Sequence, residues 1–407
     1  MTLAELLVGL SLATDLGLGQ PSEHMLRAAA IAMRLGERLG LTDDDLATLY
    51  DVSILTYVGC PVYGNEAASV FGDDIEFRAA AVEVDLSRRG GSMFMMRRAG
   101  HGTSTFNRVR QTARLMATNG RAVVEQMAAH CAAAGELADR IGLEPSVRAG
   151  IEQSYARWDG QGVPQGLAAE DLTLAARIAH VAEACEVFLR TYDADATLDM
   201  VKARTGTHFD PTVAAAVAPA ADELFAGLGD HTYDHILAAD PMGRPALTEE
   251  GLDDVLAAIG DFCDMRCPCF AGHSRATAEL ADGAAEALQI PPEGRRLLRR
   301  VAHVHDIGRS GVPGTIWNKP GPLTTSERER MQLHAYYAER IFSRPEPLRR
   351  IGLLAGAHHE RIDGSGYHRG TGGPMLSLPV RVLGAADAYH AMLQPLSLIH
   401  ISEPTRQ

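Results

Sequence analysis

Between residues 273 and 387 the chain carries His273, an adjacent His305-Asp306 pair, His334, an adjacent His358-His359 pair and Asp387. Imidazole mixed with carboxylate in this way is a metal-ligand composition. Neighbouring residues on a helix project about 100° apart, so neither pair forms a simple i, i+4 clamp. Each pair instead faces two neighbouring ions, or offers one ligand and one supporting partner. Seven such side chains suffice for two ions. The mixture suits Fe, Mn or Zn better than Ca or Mg, which prefer all-oxygen shells. Two such ions a few ångströms apart would acidify a bridging water and neutralise a phosphodiester, the arrangement that in-line hydrolysis requires.

Helices must position these side chains. Most segments between Gly and Pro are rich in Ala, Leu, Arg and Glu with apolar residues three and four apart, for example Met25 to Leu39, Val123 to Ile141 and Ala276 to Leu288. Period-two alternation is short and rare, so an all-α architecture is expected. A length of 407 residues implies two or three domains, and 22% charged with 46% hydrophobic residues describes a folded chain. Lys and Arg number 38 against 52 Asp and Glu, so the net charge of −14 gives no overall field for nucleic acid or anionic lipid. No stretch reaches the roughly 18 apolar residues of a membrane span. The run Leu6 to Leu12 lacks a basic leader and reads as a core helix rather than a signal peptide. Six unevenly spaced cysteines make no secreted disulfide framework, which favours a reducing cytoplasm.

An internal repeat organises the chain. Arg157-Trp158-Asp159-Gly160-Gln161-Gly162 lies over Arg361-Ile362-Asp363-Gly364-Ser365-Gly366, an offset of 204 that also pairs His130 with His334 and Glu183 with Asp387. Nearer the start of each copy the offset is 249, pairing His24 with His273 and Gly59 with Gly308. The difference is a 45-residue insertion in copy one between Gly59 and His130, covering the Gly- and Met-rich stretch Arg88 to Gly102. Residues 212–250, with their Ala-Pro and Gly-Arg-Pro elements, read as a connector.

In copy two, His-Asp followed by Ile-Gly, then Lys319-Pro320-Gly321, Met331-x-x-His334, His358-His359-Glu360, Asp363-Gly364-Ser365-Gly366-Tyr367 and Asp387, resembles the HD-GYP branch of the HD phosphohydrolase superfamily. The resemblance covers about 260 to 393 and, in degenerate form, about 20 to 215. It implies tandem helical bundles and a binuclear site hydrolysing a cyclic dinucleotide, usually cyclic di-GMP, to a linear product. Matched by position, the ligands are His273, His305, Asp306, His334, His358, His359 and Asp387, with Asp306 as the bridge. Lys319 matches the family's K-x-G lysine and Arg309 stands where a lysine usually follows HD-x-G. Both are candidate catalytic and phosphate contacts. Asp363, Gly364, Gly366 and Tyr367 are candidate substrate-binding residues, although an Asp-Gly surface turn also explains the glycines.

The departures matter equally. Gly366-Tyr367-His368 replaces Gly-Tyr-Pro, which questions partner docking and the cyclic di-GMP preference more than hydrolysis. Cys269 lies where trinuclear members have an acidic ligand, so two divalent transition metals are expected, Fe or Mn ahead of Zn. Cys263, Cys267 and Cys269 have poor zinc spacing and read as thiols. At the seven ligand positions copy one has His24, Thr56, Tyr57, His130, Ser154, Tyr155 and Glu183, which leaves no bridging ligand. Copy one is therefore read as a regulatory sensor, dimerisation or ligand-binding module, compatible with a homodimer. The expected division is 1–211 degenerate copy, 212–250 connector, 251–395 metal-binding copy lacking a final helix, and 396–407 a sequencing-adapter artefact. The tandem arrangement resembles actinobacterial proteins that continue to a LuxR-type helix-turn-helix, so DNA binding is expected only through such a following domain and not from this chain. The alternatives are a nucleotide-binding signalling module acting through that domain, and an HD phosphohydrolase of another nucleotide.

Overall fold

Helix starts follow the capping residues. Thr2 forms a capping box with Glu5 ahead of Leu3–Leu18, Thr42 caps Asp43–Leu55 with three acidic residues in its first turn, and Thr324 and Glu327 form a second box at Thr325–Ile341. The structure, a computed structural model, describes residues 1–62, 64–85, 89–118, 120–229, 232–319, 321–344 and 346–394. Their regular elements are all helices, with no β-strand among them, as the periodicity requires. The segment 396–407 lies outside the described residues.

The chain folds as two units, one of Thr2–Cys60 and Ser69–Ala246, the other of Leu247–Gln407 with Met1 and Pro61–Ala68. In the first, Leu174–Thr191 packs on His24–Arg38 and Asp43–Leu55. Leu3–Leu18 is buried on nearly every side, which its almost unbroken apolar sequence allows. The segment read as a connector does not run as one. It forms Pro211–Val217, Ala221–Leu224 and Thr232–Ala238, which pack on His24–Arg38 because Val213, Val217, Leu224, Tyr233 and Ile236 need burial. The region of the insertion forms Asp74–Ala81, Arg89–Arg98 and Thr105–Ala117.

The second unit assembles Glu249–Asp264, His273–Ala287, Pro292–Val304, Thr325–Ile341, Glu346–Ala355 and Leu378–Leu393. His273–Ala287 packs between Pro292–Val304 and Leu378–Leu393. Phe270, Val312, Ile316, Trp317 and Met331 form an apolar cluster. Cys267 and Cys269 are joined by a disulfide, against the expectation of free thiols, because the turn brings their Cα atoms to 5.2 Å; Cys263 remains a thiol.

The repeat is visible in close contacts inside each unit. A Cβ on Gly308 would lie 2.0 Å from the carbonyl oxygen of His334, and one on Gly59 would lie 2.1 Å from that of His130. The turn after each His-Asp position therefore touches the backbone of the helix that carries the next histidine, and only glycine permits that approach. Gly366 and Gly162 repeat the pattern against the backbones of Glu360-Arg361 and Ala156-Arg157.

Candidate metal centre

Three helices and two turns bring the seven predicted ligands together. His273 opens His273–Ala287, and Asp264 fixes that helix end by accepting hydrogen bonds from the Ser274 N–H and hydroxyl, each at 2.8 Å. His305 and Asp306 follow Val304, the last residue of Pro292–Val304. His334 lies within Thr325–Ile341, His358 and His359 follow Glu346–Ala355, and Asp387 lies within Leu378–Leu393.

The ligand atoms form two groups. His273, His305, Asp306 and Asp387 make one, and His334, His358 and His359 make the other. Asp306 faces both. Its Oδ2 lies 3.0 Å from His305 Nε2 and 3.4 Å from His273 Nε2, while its Oδ1 lies 3.5 Å from His334 Nε2 and 3.7 Å from His358 Nε2. Asp387 reaches across as well, with Oδ1 at 3.1 Å from His273 Nε2 and Oδ2 at 3.9 Å from His359 Nδ1.

The imidazoles are pre-set for this role. The Nδ1–H of His305 donates to the Ala302 carbonyl at 2.8 Å, that of His334 to Met331 at 2.6 Å, and that of His358 to Ala355 at 2.5 Å. Each bond takes up Nδ1 and turns Nε2 inward. His334 Nε2 and His358 Nε2 then approach to 3.2 Å. His273 Nε2, His305 Nε2 and Asp306 Oδ1 are buried with no hydrogen-bond partner, while Asp306 Oδ2 is paired with Arg309. Buried acceptors left unpaired are costly, and a cation is what such a convergent set of lone pairs and carboxylates fits.

The charge balance points the same way. Burial opposes ionisation of Asp306, but Arg309 and His305 outweigh it and hold the carboxyl well below the usual range. Asp387 is likewise held low, by His273 and His305 against the effect of burial. Burial also opposes charge on His305, yet Asp306 and Asp387 lift it to about 10. His334, set among other histidines, is driven down to about 3 by burial and by His359. The pocket therefore pairs two carboxylates with imidazoles and attracts positive charge.

Other predicted residues are placed differently. Arg309 is not free to meet a phosphate. Its guanidinium is buried, pairs with Asp306 Oδ2 and stacks 3.7 Å from the Phe270 ring centroid beside Trp317. The sequence supplies the charge, but the aromatic shelf that turns it inward is tertiary. Lys319 belongs to neither group; its Nζ lies 2.5 Å from Glu327 Oε2 at the start of Thr325–Ile341. Asp363 is an exposed turn residue whose carboxylate accepts from the Ser365 N–H and hydroxyl, with Gly364 at positive φ. Tyr367 stacks on His359 at 4.7 Å, which brings the Gly-Tyr element to the second ligand group. Glu360 holds that loop by accepting the Arg369 and Thr371 N–H groups, each at 2.7 Å.

Sequence reasoning missed Asp264 and His390, and quoted Glu360 in its motif without a role. Asp264 left a signal in the repeat, because Asp15 stands 249 residues before it and accepts the N–H groups of His24 and Met25 in the same way. The corresponding region of the first unit is filled by other chemistry. Thr56 and Ser154 donate their hydroxyls back to the Val52 and Ile151 carbonyls, and the Tyr57 and Tyr155 rings meet at 5.4 Å. His24 Nδ1 sits 2.5 Å from Glu186 Oε2. Among the described residues, neither metal-sized ligand group lies in that unit.

This geometry defines a metal-dependent phosphohydrolase. A family model described as HD domain matches residues 112–213 and 258–400, and the chain belongs to that family. The chain is 31% identical over 395 residues to 3'3'-cGAMP-specific phosphodiesterase 3 of Vibrio cholerae, covering 96% of this chain and 86% of the relative. It is 32% identical to the cyclic di-GMP phosphodiesterase of Thermotoga maritima over 142 residues, 34% of this chain and 38% of the relative. A crystal structure of a cyclic GMP-AMP-specific phosphodiesterase from V. cholerae superposes with a TM-score of 0.65 at 28% identity, over 96% of this chain and 88% of that one. No described helix is long and apolar enough to cross a membrane.

Proposed function

We propose that the second unit hydrolyses a phosphodiester of a cyclic dinucleotide at a binuclear transition-metal centre, with 3'3'-cyclic GMP-AMP preferred to cyclic di-GMP. The observation that carries this is Asp306, whose two oxygens each face one ligand group. His273, His305 and Asp387 would complete one metal position and His334, His358 and His359 the other, with Fe or Mn suiting the donor set better than Zn. When bound, such ions supply Lewis-acid charge that offsets the phosphodiester's own and lowers the pKa of water. Arg309 holds Asp306 in the bridging orientation. Tyr367 holds His359 and lines the same side. Lys319, released from Glu327, is the candidate for a phosphate contact, and Asp363, Gly364 and Gly366 would contact the substrate beside Tyr367.

The substrate preference rests on coverage. The cyclic di-GMP enzyme of T. maritima matches about a third of the chain, whereas the enzyme named for 3'3'-cGAMP matches nearly all of it. This replaces the expectation of cyclic di-GMP drawn from the motif alone. The first unit, without a bridging carboxylate, is assigned a regulatory role. The test is metal analysis with a panel of cyclic and linear dinucleotides. Wild type should carry about two transition ions and linearise 3'3'-cyclic GMP-AMP fastest, and Asp306→Asn should lose both ions and turnover, by a factor of about a thousand or more. A wild-type protein free of Fe, Mn and Zn, with Asp306→Asn equally active, would sink the proposal.

A further inference from the structure

The net charge of the whole chain conceals a local reversal. Between Asp85 and Glu125 there are eight arginines and no acidic residue, in a chain of net charge −14. Within this stretch Thr105–Ala117, capped by Ser104, presents two unlike sides. Gln111 and Leu115 are buried and anchor one side. On the opposite side, at spacings of three and seven, Phe106, Val109 and Met116 are exposed by 77%, 64% and 65%. Arg110 and Arg114 border this apolar ridge on one flank and Arg108 on the other, all three exposed. Among the described residues no carboxylate pairs with Arg108, Arg110 or Arg114; Arg110 donates to Asn107 Oδ1 and Arg108 to the Arg97 carbonyl.

We infer that this helix is a docking surface for an anionic lipid bilayer. A solvent-facing aliphatic ridge bordered by guanidinium groups matches a plane of phosphates lying over an apolar layer, where the cations meet headgroups and the ridge enters the acyl boundary. Nucleic acid offers the phosphates but would contact the ridge by stacking, and Phe106 is its single aromatic residue. The attachment is peripheral and reversible, because one short helix supplies one signal. The total charge argued against any lipid surface; the local charge reverses that at this helix.

The whole chain would be floated with phosphatidylcholine vesicles, with and without phosphatidylglycerol, at low and high salt. Binding should require phosphatidylglycerol and fall with salt. Replacing Arg108, Arg110 and Arg114 together with Ala should weaken it about a hundredfold, since each cation near such a surface contributes about a fivefold factor. Phe106→Ser should also weaken it, while turnover in vesicle-free solution stays at the wild-type value for both variants. Melting temperature checks folding, with Arg110→Glu as the milder substitute if the triple variant fails. The inference falls if binding does not need phosphatidylglycerol, or if both variants bind as wild type. It falls equally if Phe106→Ser abolishes a dimer without affecting vesicles, or if the arginines retain an oligonucleotide and no lipid.

Discussion

His273 differs from the three other buried histidines of the site in what orients it. His305, His334 and His358 donate Nδ1–H to carbonyls of their own chain segment, which no substitution removes. His273 Nδ1 instead lies 2.9 Å from His390 Nδ1, so a side chain fixes which nitrogen faces Asp306 and Asp387. His390→Ala should therefore weaken metal binding about 10- to 100-fold, as loss of a ligand's supporting hydrogen bond generally does. His390→Asn, which keeps an acceptor, should recover most of it. Competition against a metal buffer reads this directly; unchanged affinity in the Ala variant would show that His390 does not orient His273. Neither His390 nor the inward turn of Arg309 was legible in the sequence. The convergence of the seven His and Asp side chains was, because adjacent His-Asp and His-His pairs at fixed spacing are rare, whereas a lone histidine or a lone arginine says nothing of what it faces.

At the scale of elements, the helices were legible from apolar periodicity and caps, and the repeat from its two offsets. The helices within 212–250 were not, because short segments interrupted by Pro and Gly carry too few turns to show a period. The repeat also allows the first unit's substitute for metal to be examined. There His24, Glu186 and Asp15 form a buried charged cluster. Burial opposes the charge on His24, but the Glu186 hydrogen bond outweighs it and raises the imidazole above 6.5. Burial lifts Asp15 to about 7, and His24 brings Glu186 down to about 2 against burial. The signs follow from linkage. The His24 contribution is complete below its unfolded value and is lost as pH rises through its raised folded value; that of Asp15 fades as pH rises from 3.8 toward about 7. The Glu186 contribution is complete above 4.5 and is lost as pH falls toward about 2. The first unit should therefore melt highest on the mildly acidic side. The loss in melting temperature caused by His24→Asn should be larger at about pH 5 than at about pH 9. A pH-independent loss would remove ionisation from the account.

For the whole molecule, the same fold occurs with two different centres, and this makes an internal control available. His130 and His334 occupy equivalent places. Each lies in a helix whose backbone a glycine approaches, each is buried, and burial drives each down to about 3. Truncating either to Ala removes a buried ring of the same size, so the two variants should lose comparable stability through the void left behind. Turnover should separate them. His334 converges on His358 and Asp306, whereas the position matching Asp306 in the first unit is Tyr57, packed against Tyr155. His334→Ala should lower turnover by about a hundredfold or more, and His130→Ala should leave the rate per folded molecule within about twofold of wild type. Stability measured alongside activity keeps unfolding from imitating loss of a ligand. Equal activity losses in equally folded variants would mean that both copies contribute to one reaction, and the division into a metal-bearing unit and a regulatory one would have to be given up.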